Sequence, residues 1–185
     1  MRVVIDTSSL LALVRYYLPF DKDNLLKNLL IKKVENKEIV ILDKVAIESK
    51  RTARGVIVEK LEFIEDKKNQ IKTDTLLPEV SFLRDLENRL CYAARKNILT
   101  DIQFDNRKKE FLESADAKLI LFCLTNKDQL GLDKTIVVTE ETKADNDNKV
   151  FKKLPELCSL LGIDHCNITV LLKNHYNLKL SEYLI

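Results

Sequence analysis

Glycine and proline are scarce, three of each in 185 residues. An all-β fold spends those residues on its many turns, so their shortage favours helices joined by short connections. Long apolar runs are missing too: nothing approaches the roughly 20 residues that cross a bilayer, and no membrane is expected among the partners. The only N-terminal apolar run breaks at Asp6, which interrupts the core of any secretory signal and predicts a cytoplasmic protein. No sign of charge dominates. With 31 Lys and Arg against 29 Asp and Glu, the formal net charge is +2, so any basic surface must be local. Paired metal-ligand spacings are also absent. Cys91, Cys123, Cys158 and Cys166 stand at unrelated intervals, three of them in apolar-periodic stretches, and read as reduced core residues. A zinc site from Cys158, His165, Cys166 and His175 lacks the Cys-x-x-Cys or His-x-x-x-His spacing that would support it.

What is present suits one globular domain over residues 1–185: 21.4 kDa, 45% hydrophobic and 32% charged. Residues 2–5 (RVVI), 39–42 (IVIL) and 135–139 (TIVVT) are short continuous apolar runs of the kind that fill buried parallel strands. Between them lie helical patterns. Thr7 or Ser8 is expected to cap a helix through LLALVRYY that Pro19 ends, and DNLLKNLLIKKVENKE follows as a second. DKVAIESKRTARGVIVEKLEFIEDKK reads as one long helical segment with a weak point at Gly55. Residues 79–112 hold one or two helices, and SADAKLILFCLTNK starts a central helix on a capping serine. TKADNDNKV is a polar loop, LPELCSLLG a helix begun by proline and closed by Gly162, and NITVLL a last strand or strand–helix junction. Strands alternating with helices predict a three-layer α/β/α domain around a parallel sheet.

The stretch VVIDTSS raises the functional question. An ionised carboxylate is costly to bury, so Asp6 must lie at the surface, cap a helix or sit beside a cation. In sheets of this kind the working surface lies beyond the carboxyl ends of the strands. Asp6 is placed there by the first strand and Glu140 and Glu141 by the third. Glu48 lies about two turns along the helix that leaves the second strand, and Asp116 opens a helix entering the same layer. Taken singly, these are a turn residue, a solvated glutamate, a favourable first-turn acid and an exposed pair. Together they crowd one edge. Clustered carboxylates raise one another's pKa unless a cation sits among them. Oxygen-only ligands suit Mg²⁺ or Mn²⁺, and one or two such ions can activate water and clamp a phosphodiester. Thr7, Ser8 and Thr139 would orient the carboxylates from behind. The expectation is that Asp6 serves an ion and not the following helix.

The ordered series VVIDTSSLL, ILDKVAIES, SADAKLILF and VVTEE resembles the PIN domain, the nuclease domain of bacterial toxins of the VapC type, over nearly the whole chain. The family's strand-closing Asp is matched by Asp6, its helix-borne Glu by Glu48, and the Asp of its A-D-x-x-[LI]-I setting by Asp116. Its T-x-D position falls on Thr139, Glu140 and Glu141, which leaves open which glutamate serves the metal. The segment from Glu48 to Asp116 is longer than in the smallest toxins and suggests a larger branch of PIN-like proteins. The resemblance implies four or five parallel strands and metal-dependent endoribonuclease activity with a water nucleophile and a 5′-phosphate product. It also implies an antitoxin protein encoded alongside. RNA, that antitoxin and a second copy of the chain as a homodimer are the partners expected.

Other chemistries fit less well. A haloacid-dehalogenase-like phosphatase needs a second Asp two residues after the first, and position 8 is Ser. A His-based ribonuclease needs two imidazoles at the working edge. The rival from another class is a PIN-like fold that binds RNA or protein without cutting. Arg15 and Tyr16, in RYYLPF, are either a stacking platform for single-stranded RNA or packing at a helix end. Lys50, Arg51 and Arg54, in SKRTAR, either meet phosphates or form a solvated face.

Overall fold

The computed structural model describes residues 1–127, 135–142 and 149–185. Most of the expected TKADNDNKV loop, residues 143–148, therefore lies outside the described residues. Five parallel strands form one sheet in the order β3-β2-β1-β4-β5. They are β1 (Arg2–Ile5), β2 (Ile39–Leu42), β3 (Gln70–Ile71), β4 (Thr135–Val138) and β5 (His165–Cys166). Helices flank the sheet, giving the three-layer α/β/α architecture that the alternation of strand and helix predicts. The three inner strands are continuous β-branched and leucine runs because both their faces are covered; Val3, Val4, Ile41, Leu42 and Val137 have no solvent exposure.

Chain order and spatial order diverge at one place. From β1 the chain moves to β2 and β3 on one side, and β4 and β5 lie on the other. The β1/β4 boundary is therefore the switch point of the sheet, where connections leave in opposite directions and open a crevice beyond the carboxyl ends. Strand β1 pairs with β4 residue for residue from Arg2–Thr135 to Ile5–Val138, so Asp6 and Thr139 emerge side by side.

The helices show where local pattern decides and where it does not. Helix α1 (Thr7–Ala12) is capped by Asp6, not by Thr7 or Ser8, and runs on through a π-helical turn, Leu13–Tyr17. Helix α2 spans Leu25–Glu35. The expected long segment after β2 is broken into α3 (Asp43–Arg51) and α4 (Val56–Lys60) by three consecutive left-handed residues, Ala53, Arg54 and Gly55. Two short 3₁₀ turns then lead into β3, a two-residue strand too short for any periodicity to reveal. Residues 79–112 hold three helices: α5 (Val80–Asn88), α6 (Ala93–Lys96) and α7 (Asp101–Leu112). Helix α8 (Ala115–Lys127) packs on β4 and β2, with Ser114 Oγ accepting from Ala117 N at 3.3 Å. Helix α9 (Leu154–Leu161) has proline in its first turn and ends on Gly162 at φ 64°. The NITVLL segment is a junction: β5 precedes it and α10 (Ile168–Val170) lies within it. The four cysteines are free thiols, and burial pushes Cys123 up to about 12 and holds Cys158 well above the ordinary thiol range.

Candidate active site

Asp6 is 4% exposed and ends β1 at the switch point. Its carboxylate accepts four hydrogen bonds: Oδ1 from Thr7 N at 2.7 Å, and Oδ2 from Ser8 N at 3.3 Å, Ser8 Oγ at 2.5 Å and Thr139 Oγ1 at 3.1 Å. Two of the donors are the first amides of α1. Asp6 thus caps the helix, against the expectation from sequence that it would serve an ion instead. The two roles share one carboxylate, since a cap orients the oxygens that a ligand would need oriented.

The neighbouring hydroxyls do hold the acids. Thr7 Oγ1 donates to Glu48 Oε2 at 2.6 Å, linking the start of α1 to the middle of α3. Ser8 Oγ lies 3.3 Å from Thr139 Oγ1 and accepts from Glu140 N at 3.0 Å, so the β1 and β4 exits are stitched together. Glu140 and Glu141 part company beyond that stitch. Glu140 Oε1 accepts from Ile168 N at 2.7 Å, at the start of α10, while Glu141 Oε2 accepts from Leu154 N at 3.1 Å, at the start of α9. Each has found a helix N-terminus, where amide donors favour an anion.

Asp116, in the first turn of α8, senses the others. Burial is the chief reason that its carboxyl is pushed up to about 8, and repulsion from Asp6, Glu141 and Glu48 adds to it. The residue keeps some surface access, yet its carboxyl end is packed against protein on nearly every side. One cation opposes the trend, Lys149. Acids from α1, α3, α8 and the β4 exit therefore lie within electrostatic reach of one another. Even so, among the described residues no three His, Cys, Asp or Glu side chains are gathered closely enough to form a ready metal site. Asp6, Glu48, Glu140 and Glu141 each accept instead from an amide, a hydroxyl or a helix end.

The remaining sequence candidates sit elsewhere. Arg15 and Tyr16 are exposed on the π-helical turn after α1, Tyr16 at 67%. Lys50 is held by Glu65 at 2.8 Å, whereas Arg51 and Arg54 project from the break between α3 and α4 as exposed side chains. The four-residue zinc set finds no support, since the described residues hold no such group.

Two residues escaped the reading of the sequence. Asp43 follows β2 as Asp6 follows β1, a parallel that was there to be seen. It accepts from Lys44 N at 2.8 Å and from Thr73 Oγ1 at 2.7 Å, so it anchors the loop after β3. Lys149 had no signal, because it follows a polar loop whose path no pattern announces.

No curated protein and no solved structure matches the chain. A protein family described as a domain of unknown function, DUF4411, matches residues 3–177. Apart from Arg2, that span takes in all five described strands and every acid discussed above. The chain belongs to the DUF4411 family.

Proposed function

We propose that this chain is a PIN-like endoribonuclease that hydrolyses RNA phosphodiester bonds with Mg²⁺ or Mn²⁺, acting as the toxin of a toxin–antitoxin pair. One observation carries the reading. Carboxylates from four separated segments lie within electrostatic reach of one another at the switch point of a parallel sheet, where burial, with their repulsion added, pushes the Asp116 carboxyl up to about 8. Such repulsion is a cost that a folded protein has reason to keep where a dication relieves it.

The donor set fits a hard cation. It is all oxygen, and Asp6, Glu48, Asp116 and Glu141 are the residues that would hold the ion. Thr7 and Leu154 N engage Oε2 of Glu48 and of Glu141, and among the described residues neither Oε1 has a donor. Glu140 is the alternative fourth ligand, its Oε1 engaged at the start of α10 as Glu141 Oε2 is at the start of α9. A bound ion would supply Lewis acidity and an activated water. The chain's own groups do the positioning: Ser8 and Thr139 fix the Asp6 oxygens, Thr7 fixes Glu48, and Lys149 offsets charge beside Asp116.

The test is cleavage of a labelled RNA by the purified protein with Mn²⁺, by wild type, Asp6→Asn and Asp116→Asn. Wild type should cut, chelation should stop it, and each variant should lose at least about 100-fold in rate. An Asp6→Asn protein cutting at the wild-type rate would overturn the reading. The outward spread of the glutamates onto α9 and α10 favours a second reading, a PIN-like module that binds RNA or protein without cutting, and a wild type inert with Mn²⁺ would select it. For the toxin role, the neighbouring reading frame should encode a small DNA-binding protein.

A further inference from the structure

Beside Asp116 opens a cleft of about 640 Å³, within the range of sites that hold small organic ligands. It is built outside the main sheet. Residues 150–152 run antiparallel to residues 90–92, with Tyr92 N donating to Val150 O at 2.9 Å and Lys152 N to Leu90 O at 3.0 Å. This small ladder sets one wall against α6 and α7. Phe151 forms part of the lining and is braced by Phe111 and Phe104, with ring centroids 4.6 and 5.9 Å away.

The lining has two kinds of surface. Ile98, Leu99 and Phe111 are apolar, and Ile98 is 71% exposed although nothing polar requires it there. Arg95, Arg107, Lys149 and Lys152 bring four cations against two acids, Glu110 and Asp116. Glu110 is already paired with Arg107 at 2.9 Å, and Lys152 with Glu156. Cations outnumber acids in the lining of the cleft on a chain of near-neutral charge, and Asp116 belongs both to this lining and to the candidate site.

We propose that this cleft is the subsite for single-stranded RNA on one side of the reacting phosphate. An unstacked base lies against Ile98, Leu99 and Phe111, and flanking phosphates lie on Lys149, Arg107 and Arg95. The inference rests on the nuclease reading for its location, but not for its chemistry. Apolar faces take unstacked bases, and a row of cations follows a phosphate backbone. A duplex keeps its bases stacked inside and has none to offer the apolar wall.

The experiment is fluorescence anisotropy with a labelled hexauridylate, with EDTA present so that metal-dependent hydrolysis cannot consume the probe, across a salt series. Wild type should bind it more tightly than a duplex of equal length. Lys149→Ala and Arg107→Ala should each weaken binding about 3- to 10-fold and reduce the slope of log Kd against log salt by about 0.7. Ile98→Asp should weaken binding as much, while Arg84→Ala, an exposed cation outside the cleft, should change nothing. Circular dichroism confirms that each variant is folded. Wild-type binding by all three cleft variants, or equal affinity for the duplex, overturns the subsite even if the protein cuts RNA. Conversely, weakened binding by the cleft variants in a protein that never cuts supports the subsite and removes the nuclease.

Discussion

Asp116 titrates in the neutral range because it is buried among other carboxylates, and that has a definite sign for stability. Its folded pKa, about 8, lies above the ordinary 3.8. Between those values the unfolded chain has released the proton while the metal-free folded chain still holds it, so stability falls as pH rises from about 4 to about 8. The loss across that window is on the order of a few kcal/mol. Thermal unfolding of the metal-free protein should show it, and Asp116→Asn should flatten the slope and raise Tm at pH 8 but not at pH 4. A slope unchanged by the substitution would mean that another group governs it. Asp6 makes the opposite kind of prediction. Asn caps a helix about as well as Asp, so Asp6→Asn should keep stability within about 1 kcal/mol of wild type while Asp6→Ala loses about 1 kcal/mol or more. Catalysis should fail in both.

Helices and strands were legible in proportion to their length and regularity. The runs RVVI, IVIL and TIVV are strands because a doubly covered parallel position suits three or four apolar residues in a row. The two-residue strands β3 and β5 could not be read that way, since their identity depends on what lies beside them. The break between α3 and α4 was visible only as Gly55, although Ala53 and Arg54 share its left-handed backbone at φ 49° and 60°. That break can be tested. Ala53→Gly should stabilise by up to about 1 kcal/mol, because glycine carries no penalty in that region. Gly55→Ala should destabilise by a similar amount, since its φ is 83° and a Cβ there would meet Lys50 O at 3.3 Å. Denaturant midpoints would decide both. The places of the candidate acids on the fold were legible, because Asp6, Glu140 and Glu141 follow strands, Asp116 lies in the first turn of a helix and Glu48 lies on the helix after β2. Their hydrogen-bond partners were not, since whether Glu140 turns to α10 or inward depends on where that helix ends up.

Across the whole molecule, the described residues contain no helix long and apolar enough to cross a membrane. The architecture brings residues far apart in the chain together. Strand β1 is flanked by β2 and by β4, and the hydrogen bond from Thr139 to Asp6 spans 133 positions of the chain. The fold is therefore rich in contacts between distant parts of the sequence, which slows folding. A fragment ending at Lys127 keeps Asp6, Glu48 and Asp116 but lacks β4, and should show neither a cooperative unfolding transition nor activity.

The pairing of β1 with β4 has a consequence for synthesis. While the chain is emerging from a ribosome, its first strand has one neighbour and an open side until the fourth has cleared the exit tunnel. The crevice cannot exist before then. Whatever chemistry the crevice performs would have to wait until residue 139 has left the tunnel, with the delay set by strand order alone.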